Sequence, residues 1–170
     1  HKLALFSDRA KQVSGQIIVK DLGLDPDIFE SAAKPAAFLV TEADIKLPLR
    51  TNKAAHKGTY GHTAVFAGEK SGAAIIAATA AMNFGSGLTS LVQTQGSNLK
   101  QFKISPELML ADRLPAKTTC AVFGPGIKEG LLPPQEIEKI PALVFDAGVF
   151  ANPEFPNLLE RLFLEFHAVI

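Results

Sequence analysis

The stretch HKGTYGHTAVFAGEKSGAAIIAATAAMNFGSG, His56 to Gly87, holds six of the thirteen glycines in the 170-residue chain, together with a run of alanines. Neither residue buries much surface. Their concentration in one segment points to close backbone packing, to a ligand seat, or to both. Inside it, HTAVFAG (62–68) predicts a strand, and Ser71 predicts the N-cap of a helix through about Phe84. Gly85 and Gly87 stand where a left-handed turn would end that helix. The helix is apolar nearly all round, which predicts burial.

Outward from this stretch the pattern repeats. LTSLVQT (88–94), CAVFGPG (120–126) and ALVFDAG (142–148) predict further strands, PNLLERLFLEF (156–166) a helix, and AVI at 168–170 the start of another strand. Near-continuous apolar strands alternating with helices predict an α/β fold, a mostly parallel sheet covered on both faces. Before this region, QIIVKDL (16–22) predicts a strand followed by turn residues, and 31–37 reads as a joint. FLV (38–40) predicts a short strand, and Thr41 the N-cap of a brief helix stopped by Pro48. Residues 50–61 read as loop.

Composition narrows the function classes. Lys plus Arg and Asp plus Glu are 17 each, so no charge excess advertises nucleic acid or an anionic membrane as a partner. The apolar stretch within 71–84 is about 14 residues, short of the roughly 20 that a membrane span needs. The single cysteine, Cys120, cannot pair internally and fits a reducing compartment, so the cytoplasm is expected. It lies in an apolar run and reads as an inert core residue. The missing initiator Met and the strand-like last residues predict that both ends are cuts in a longer polypeptide.

Ligands of open parallel sheets bind beyond the carboxyl ends of the strands. Three strands end there in glycine or acid: VFAGEKSG, VFGPG and VFDAG. Gly68 and Gly72 bracket the entry to a helix whose first amides can face an anion, although by themselves these residues favour a tight strand-to-helix turn. Gly124 and Gly126 permit close approach of a ligand. Asp146 can hold a ribose hydroxyl, a metal-bound water or a helix N-terminus. Lys57 can meet a phosphate or simply be solvated. His56, His62 and His167 show no metal-ligand spacing with one another or with Cys120, and no metal site is expected. There is no GxGxxG, no Gly-Lys-Ser/Thr phosphate loop and no nucleophile elbow.

From residue 50 the chain resembles the NAD(P)H-hydrate dehydratase family, a branch of the ribokinase-like superfold. That family's pattern runs H-K-G-x-x-G-x-x-x-V-x-x-G-S, then G-A-A-x-L-A-A-x-A-A-L-R-x-G-A-G-L. SPELM (105–109), GPG (124–126) and LVFDAG (143–148) follow in the same order. KLALFSDRAKQVSGQIIVKDLGL, near the N-terminus, is similar to the end of the NAD(P)H-hydrate epimerase domain that precedes the dehydratase in bifunctional bacterial proteins. The resemblance divides the chain into an epimerase-like tail (1–33), a joint (34–49) and the N-terminal part of a ribokinase-like domain (50–170).

The resemblance implies repair of hydrated NADH and NADPH. The dehydratase removes water from the S hydrate at the expense of ADP, with Mg2+, giving AMP and phosphate; ATP is the other candidate nucleotide. The epimerase, a K+ enzyme, interconverts the R and S forms. Ala73 and Gly126 would face the hydrated dinucleotide, Gly72 and Gly124 would shape the same wall, and Asp146 would lie at its floor. Gly68 and Lys57 would contact nucleotide, and the assembly would be a homo-oligomer. The catalytic residues and most of the ADP site are expected beyond residue 170, so this segment alone should not turn over. Departures are Gly148 and Ala151 where the family has Asp and Asn, and Asn83-Phe84 in place of Leu-Arg. The rival readings are a ribokinase-like kinase for a hydroxymethylpyrimidine or thiazole precursor and a non-catalytic nucleotide-binding or assembly domain.

Overall fold

The computed structural model describes residues 3–20, 23–33, 41–47, 49–127, 133 and 135–165. The chain divides into two compact units, His1–Leu47 and Pro48–Ile170.

In the first unit, helix α1 spans Asp8–Val13 and α2 spans Pro26–Ala33. The side chain of Ser7 accepts a hydrogen bond from the Ala10 amide and so caps α1. Thr41 begins the expected brief helix, a single 3-10 turn at Glu42–Asp44. The Asp44 carboxylate accepts from the Thr41 amide at 2.8 Å and from its hydroxyl at 2.7 Å. The turn ends at Ile45, before Pro48 can stop it. The strand predicted at 16–22 is absent from residues 16–20, and 21–22 lie outside the described residues. Ile18 and Val19 are mostly exposed there. A β-branched run needs a neighbouring strand to pair with, and the described residues of this unit supply none. The short strand at 38–40 and part of the expected joint also lie outside the described residues.

The second unit is built on five parallel strands: β1 (His62–Ala67), β2 (Leu88–Gln93), β3 (Met109–Ala111), β4 (Cys120–Phe123) and β5 (Ala142–Phe145). Their order across the sheet is β3-β2-β1-β4-β5. Four of these match predicted strands. The fifth, β3, was not expected, because three residues at a sheet edge carry too little apolar pattern to be noticed. The strand predicted at 168–170 lies outside the described residues. Among the described residues no helix is long and apolar enough to cross a membrane.

Alternation along β1 sorts the core into two sets. Val65 and Ala67 join Leu91, Ala74, Ala78, Leu99 and Leu108 on the face covered by helix α3 (Ser71–Phe84). Ala64 and Phe66 join Val92, Ala121, Phe123, Ile137, Phe155, Leu158 and Leu162 on the other, where helix α4 (Phe155–Glu165) packs. The apolar positions of α4 at Phe155, Leu158 and Leu162 give it one buried stripe.

Helix α3 corrects three expectations. Ser71 is its first helical residue, and Lys70 holds the N-cap position. Burial is one-sided: Ala74 and Ala78 are fully covered, whereas Ile76 and Phe84 are 73% and 63% exposed. An all-round apolar sequence allows burial but does not supply a second layer to cover the outer face. Gly85 ends the helix with φ 123°, as expected, but Gly87 does not adopt a left-handed conformation. Gly87 is small for another reason: any Cβ there would collide with the Lys57 carbonyl.

Cys120 is half-buried, less covered than expected, and burial raises the pKa of its thiol. A thiol held protonated in this way is a poor nucleophile.

Candidate functional site

The strand order reverses at β1. The chain leaves β1 toward the face covered by α3. After β4 it runs to the opposite face, where Ile137 and Ile140 are buried. Loops that part in this way open a crevice at the carboxyl ends of two neighbouring strands. Gly68 follows β1 and Gly124–Gly126 follows β4, so both glycine loops border that crevice. Asp146 follows β5 and completes the rim.

The three loops are interlocked through their backbones. The Lys70 amide donates to the Gly126 carbonyl at 3.0 Å, and the Asp146 amide donates to the Phe123 carbonyl at 2.9 Å. A Cβ on Gly68 would enter the backbone of Gly126 and Ile127, and a Cβ on Gly126 would enter that of Lys70. Gly126 also has φ 66°. At Gly124, with φ 123°, a Cβ would stand 2.7 Å from the Asp146 carbonyl oxygen and 2.9 Å from its amide nitrogen. These three glycines therefore bring protein backbone against protein backbone.

Gly72 is different. A Cβ there would meet only the Phe102 ring, at 3.5 Å, an ordinary contact. Its helix opens toward the crevice, and the first-turn amides divide. The Ser71 amide donates to Asn98 Oδ1 at 3.3 Å and the Ala73 amide to the Lys70 carbonyl at 3.1 Å. The Gly72 amide has no partner among the described residues. Such an amide at a 14-residue helix N-terminus carries partial positive charge suited to a phosphate oxygen. Ala73, the next residue on the first turn of α3, is exposed, and so is Asp146 after β5.

Gly68, Gly124, Gly126 and Asp146 thus belong to loops that touch at the carboxyl ends of β1, β4 and β5, and Gly72 and Ala73 begin the helix that follows the β1 loop. Lys57 does not join them. It lies in the 3-10 turn Lys57–Tyr60 before β1, and its carbonyl packs at Gly87, before β2. That is the amino end of the sheet, about 20 Å from the carboxyl end along a six-residue strand.

Two residues organise these loops: Ser71, read from the sequence only as a helix cap, and Asn98, which the sequence reading missed. Ser71 is fully buried; its hydroxyl donates to the Gly68 carbonyl at 2.7 Å and accepts from the Asn98 amide at 2.9 Å. Asn98 is 27 positions away and has no local signal. Among the described residues no group of three His, Cys, Asp or Glu side chains converges as a metal site.

No protein-family model matches the chain. Curated relatives do. The chain is 36% identical over 163 residues to the bifunctional NAD(P)H-hydrate repair enzyme of Helicobacter pylori, covering 94% of this chain and 34% of that protein. It is 34% identical over 137 residues to the enzyme of the same name from Coxiella burnetii, covering 74% of this chain and 28% of that protein. With the Archaeoglobus fulgidus enzyme of that name the identity is 25% over 170 residues, covering 95% and 32%. The chain therefore spans about a third of the length of the curated relatives it matches. A solved ribokinase-like superfamily protein from Enterococcus faecalis is similar at 21% identity and a TM-score of 0.39, covering 53% of this chain and 35% of that one. An overlap of that size adds nothing to the topology above.

Proposed function

The chain belongs to the family of bifunctional NAD(P)H-hydrate repair enzymes, over the third of their length that it spans, and from that premise we propose that it forms one wall of the site that dehydrates hydrated NADH or NADPH. The observation that carries the reading is the crevice at the β1/β4 reversal. Three interlocked loops hold its base, and the Gly72 amide at the head of α3 is left without a partner.

In this reading the chain binds and orients. The Gly72 amide takes a phosphate oxygen of the dinucleotide, Ala73 and Gly126 border the hydrated ring, and Asp146 faces a hydroxyl of the substrate. The interlock holds these groups in place before substrate arrives, so little ordering remains to oppose binding. ADP supplies the driving force by conversion to AMP and phosphate, with ATP as the other candidate. Chemistry of that kind depends on positioning and charge neutralisation more than on a covalent nucleophile.

The residues present do not assemble a seat for Mg2+, since no three candidate ligands converge among the described residues. The same proposal includes epimerisation of the R and S hydrates by a K+-dependent preceding domain, a cytoplasmic setting and a homo-oligomeric assembly.

The test is to incubate the intact protein with hydrated NADH, ADP and Mg2+ and follow the return of NADH absorbance. Recovery that requires ADP is the expected result. Phosphorylation of a hydroxymethylpyrimidine or thiazole precursor without recovery would replace the reading with a kinase. Nucleotide binding without any turnover would replace it with a non-catalytic module.

A further inference from the structure

Packing does not require a glycine at position 72. It lies in the first turn of α3, where glycine weakens a helix relative to alanine, and its φ is not positive. A Cβ there would fit, its nearest neighbours being Phe102 Cε1 at 3.5 Å and Cζ at 3.6 Å. The missing methyl group leaves a notch that packing among the described residues does not explain.

Two large apolar side chains border the notch. Phe102 is 43% exposed and Ile76 is 73% exposed, so both have surface to offer. Ile76 is four residues on from Gly72, and helical side chains lean toward the N-terminus, so it stands over the turn that Gly72 opens. A flat ring laid across Gly72 meets the Phe102 ring by face or edge contact and the branched chain of Ile76 beside it. Lys100 and Lys103 flank Phe102 in the chain. Both are exposed, and neither has a hydrogen-bond or ion-pair partner among the described residues.

Apolar contact for a planar ring, next to a free helix amide and two free cations, is what a nucleobase and its phosphate require. The other ring of a hydrated dinucleotide suits the notch less well, because hydration puts a saturated carbon and a hydroxyl group into it. Position agrees with this division. Phe102 follows β2 on one side of β1, whereas Gly126 and Asp146 follow β4 and β5 on the other.

We propose that Phe102 and Ile76 seat the adenine of the hydrated dinucleotide, with Lys100 and Lys103 beside its phosphates and the hydrated ring at the Gly126 end. This rests on the dehydratase reading and adds the direction in which the substrate lies.

The experiment compares hydrated NADH with hydrated reduced nicotinamide mononucleotide, which lacks the adenylate, using the intact protein with ADP and Mg2+. Wild type should favour hydrated NADH in kcat/KM by at least about tenfold, or 1.4 kcal/mol. Phe102→Ala should raise the KM for hydrated NADH about tenfold, keep kcat and lose that preference, whereas Phe102→Tyr, which keeps a ring, should retain it. An equal rise for both substrates, or no change in either, overturns the proposal. A second readout needs no turnover: saturation-transfer NMR with NAD+ should reach the adenine protons in wild type and fail to do so in Phe102→Ala. Undiminished transfer in Phe102→Ala overturns the proposal whether or not either hydrate is dehydrated. Loss of transfer in the variant, with no turnover by wild type, supports the adenine seat and overturns the dehydratase reading alone.

Discussion

Ser71 and Asn98 hold each other through two hydrogen bonds, Ser71 N–H to Asn98 Oδ1 at 3.3 Å and Asn98 N–H to Ser71 Oγ at 2.9 Å. The Ser71 hydroxyl also donates to the Gly68 carbonyl, so the pair ties the head of α3 to both the β1 loop and the 98–101 turn. Ser71→Ala leaves the Gly68 carbonyl, in a buried bond, and the part-buried Asn98 amide without this hydroxyl and should cost about 1–3 kcal/mol. Asn98→Ala removes two longer bonds, from the Ser71 amide and to Gln101 Oε1, each at 3.3 Å and at a less buried position, and should cost less. Urea titration of the two variants gives the order, and a larger loss for Asn98→Ala would show that the hydroxyl is not the centre of the pair.

Gly68 and Gly126 lie on the two sides of one contact between loops, Gly68 against Gly126 and Ile127 and Gly126 against Lys70. Each alanine variant should lose roughly 1–3 kcal/mol, the usual range for forcing extra volume into a packed site. Because the two share that contact, the double variant should lose less than the sum of the singles. A double-mutant cycle by chemical denaturation measures this directly, and strict additivity would mean that the loops do not touch.

Gly72→Ala should behave in the opposite way. The new methyl group stands at ordinary distance from Phe102, and a helical Gly-to-Ala change can add about 0.5–1 kcal/mol. The expected combination is unchanged or raised Tm with a higher KM for hydrated NADH. If Tm and KM both stay at wild-type values, Gly72 is not part of the substrate wall.

Gly148 stands where the dehydratase pattern has Asp. A Cβ there would lie 2.8 Å from the Gly124 carbonyl oxygen and 3.1 Å from that of Ile127. Gly148→Asp should therefore destabilise the domain, by about 1–3 kcal/mol from overpacking, instead of restoring function. Comparing its Tm with that of Gly148→Ala separates volume from charge. A rise in Tm for the aspartate variant would contradict the packing described.

His62 is buried and its Nε2 lies 2.8 Å from Ser90 Oγ. Burial lowers its pKa below the ordinary 6.5. The unfolded chain then binds a proton more readily than the folded one, so stability is complete above the unfolded pKa. It should decline as pH falls below about 6.5 toward the folded pKa, no more steeply than about 1.4 kcal/mol per pH unit for one group. Denaturation between pH 5 and 8 should show this slope in the wild type and a flatter one in His62→Asn. An equal slope in both would assign the dependence to other groups.

Much of the fold was legible in the residues. Strands β1, β2, β4 and β5, the length of α3 and the stripe of α4 follow from apolar runs, glycine punctuation and helical spacing, all of which are local. The edge strand β3 was missed because three residues give no period. The run at 16–20 was misread because β-branched residues favour a strand only when a partner strand is present. Cys120 and the outer face of α3 were read as more buried than they are, since hydrophobicity does not say which neighbour arrives.

The residues by themselves determined that the chain alternates strands with helices and places glycines and an acid at strand ends. Their order also carries the family likeness. Only the tertiary structure decided what those glycines do. Gly68, Gly124 and Gly126 bring loops into backbone contact across the point where the sheet reverses, while Gly72 meets only the Phe102 ring. It also separated Lys57 from the crevice by the length of a strand and joined Asn98 to Ser71 across 27 positions. Strand order and long-range pairing set those relationships, because a glycine's freedom is local whereas the atom it makes room for comes from elsewhere in the chain.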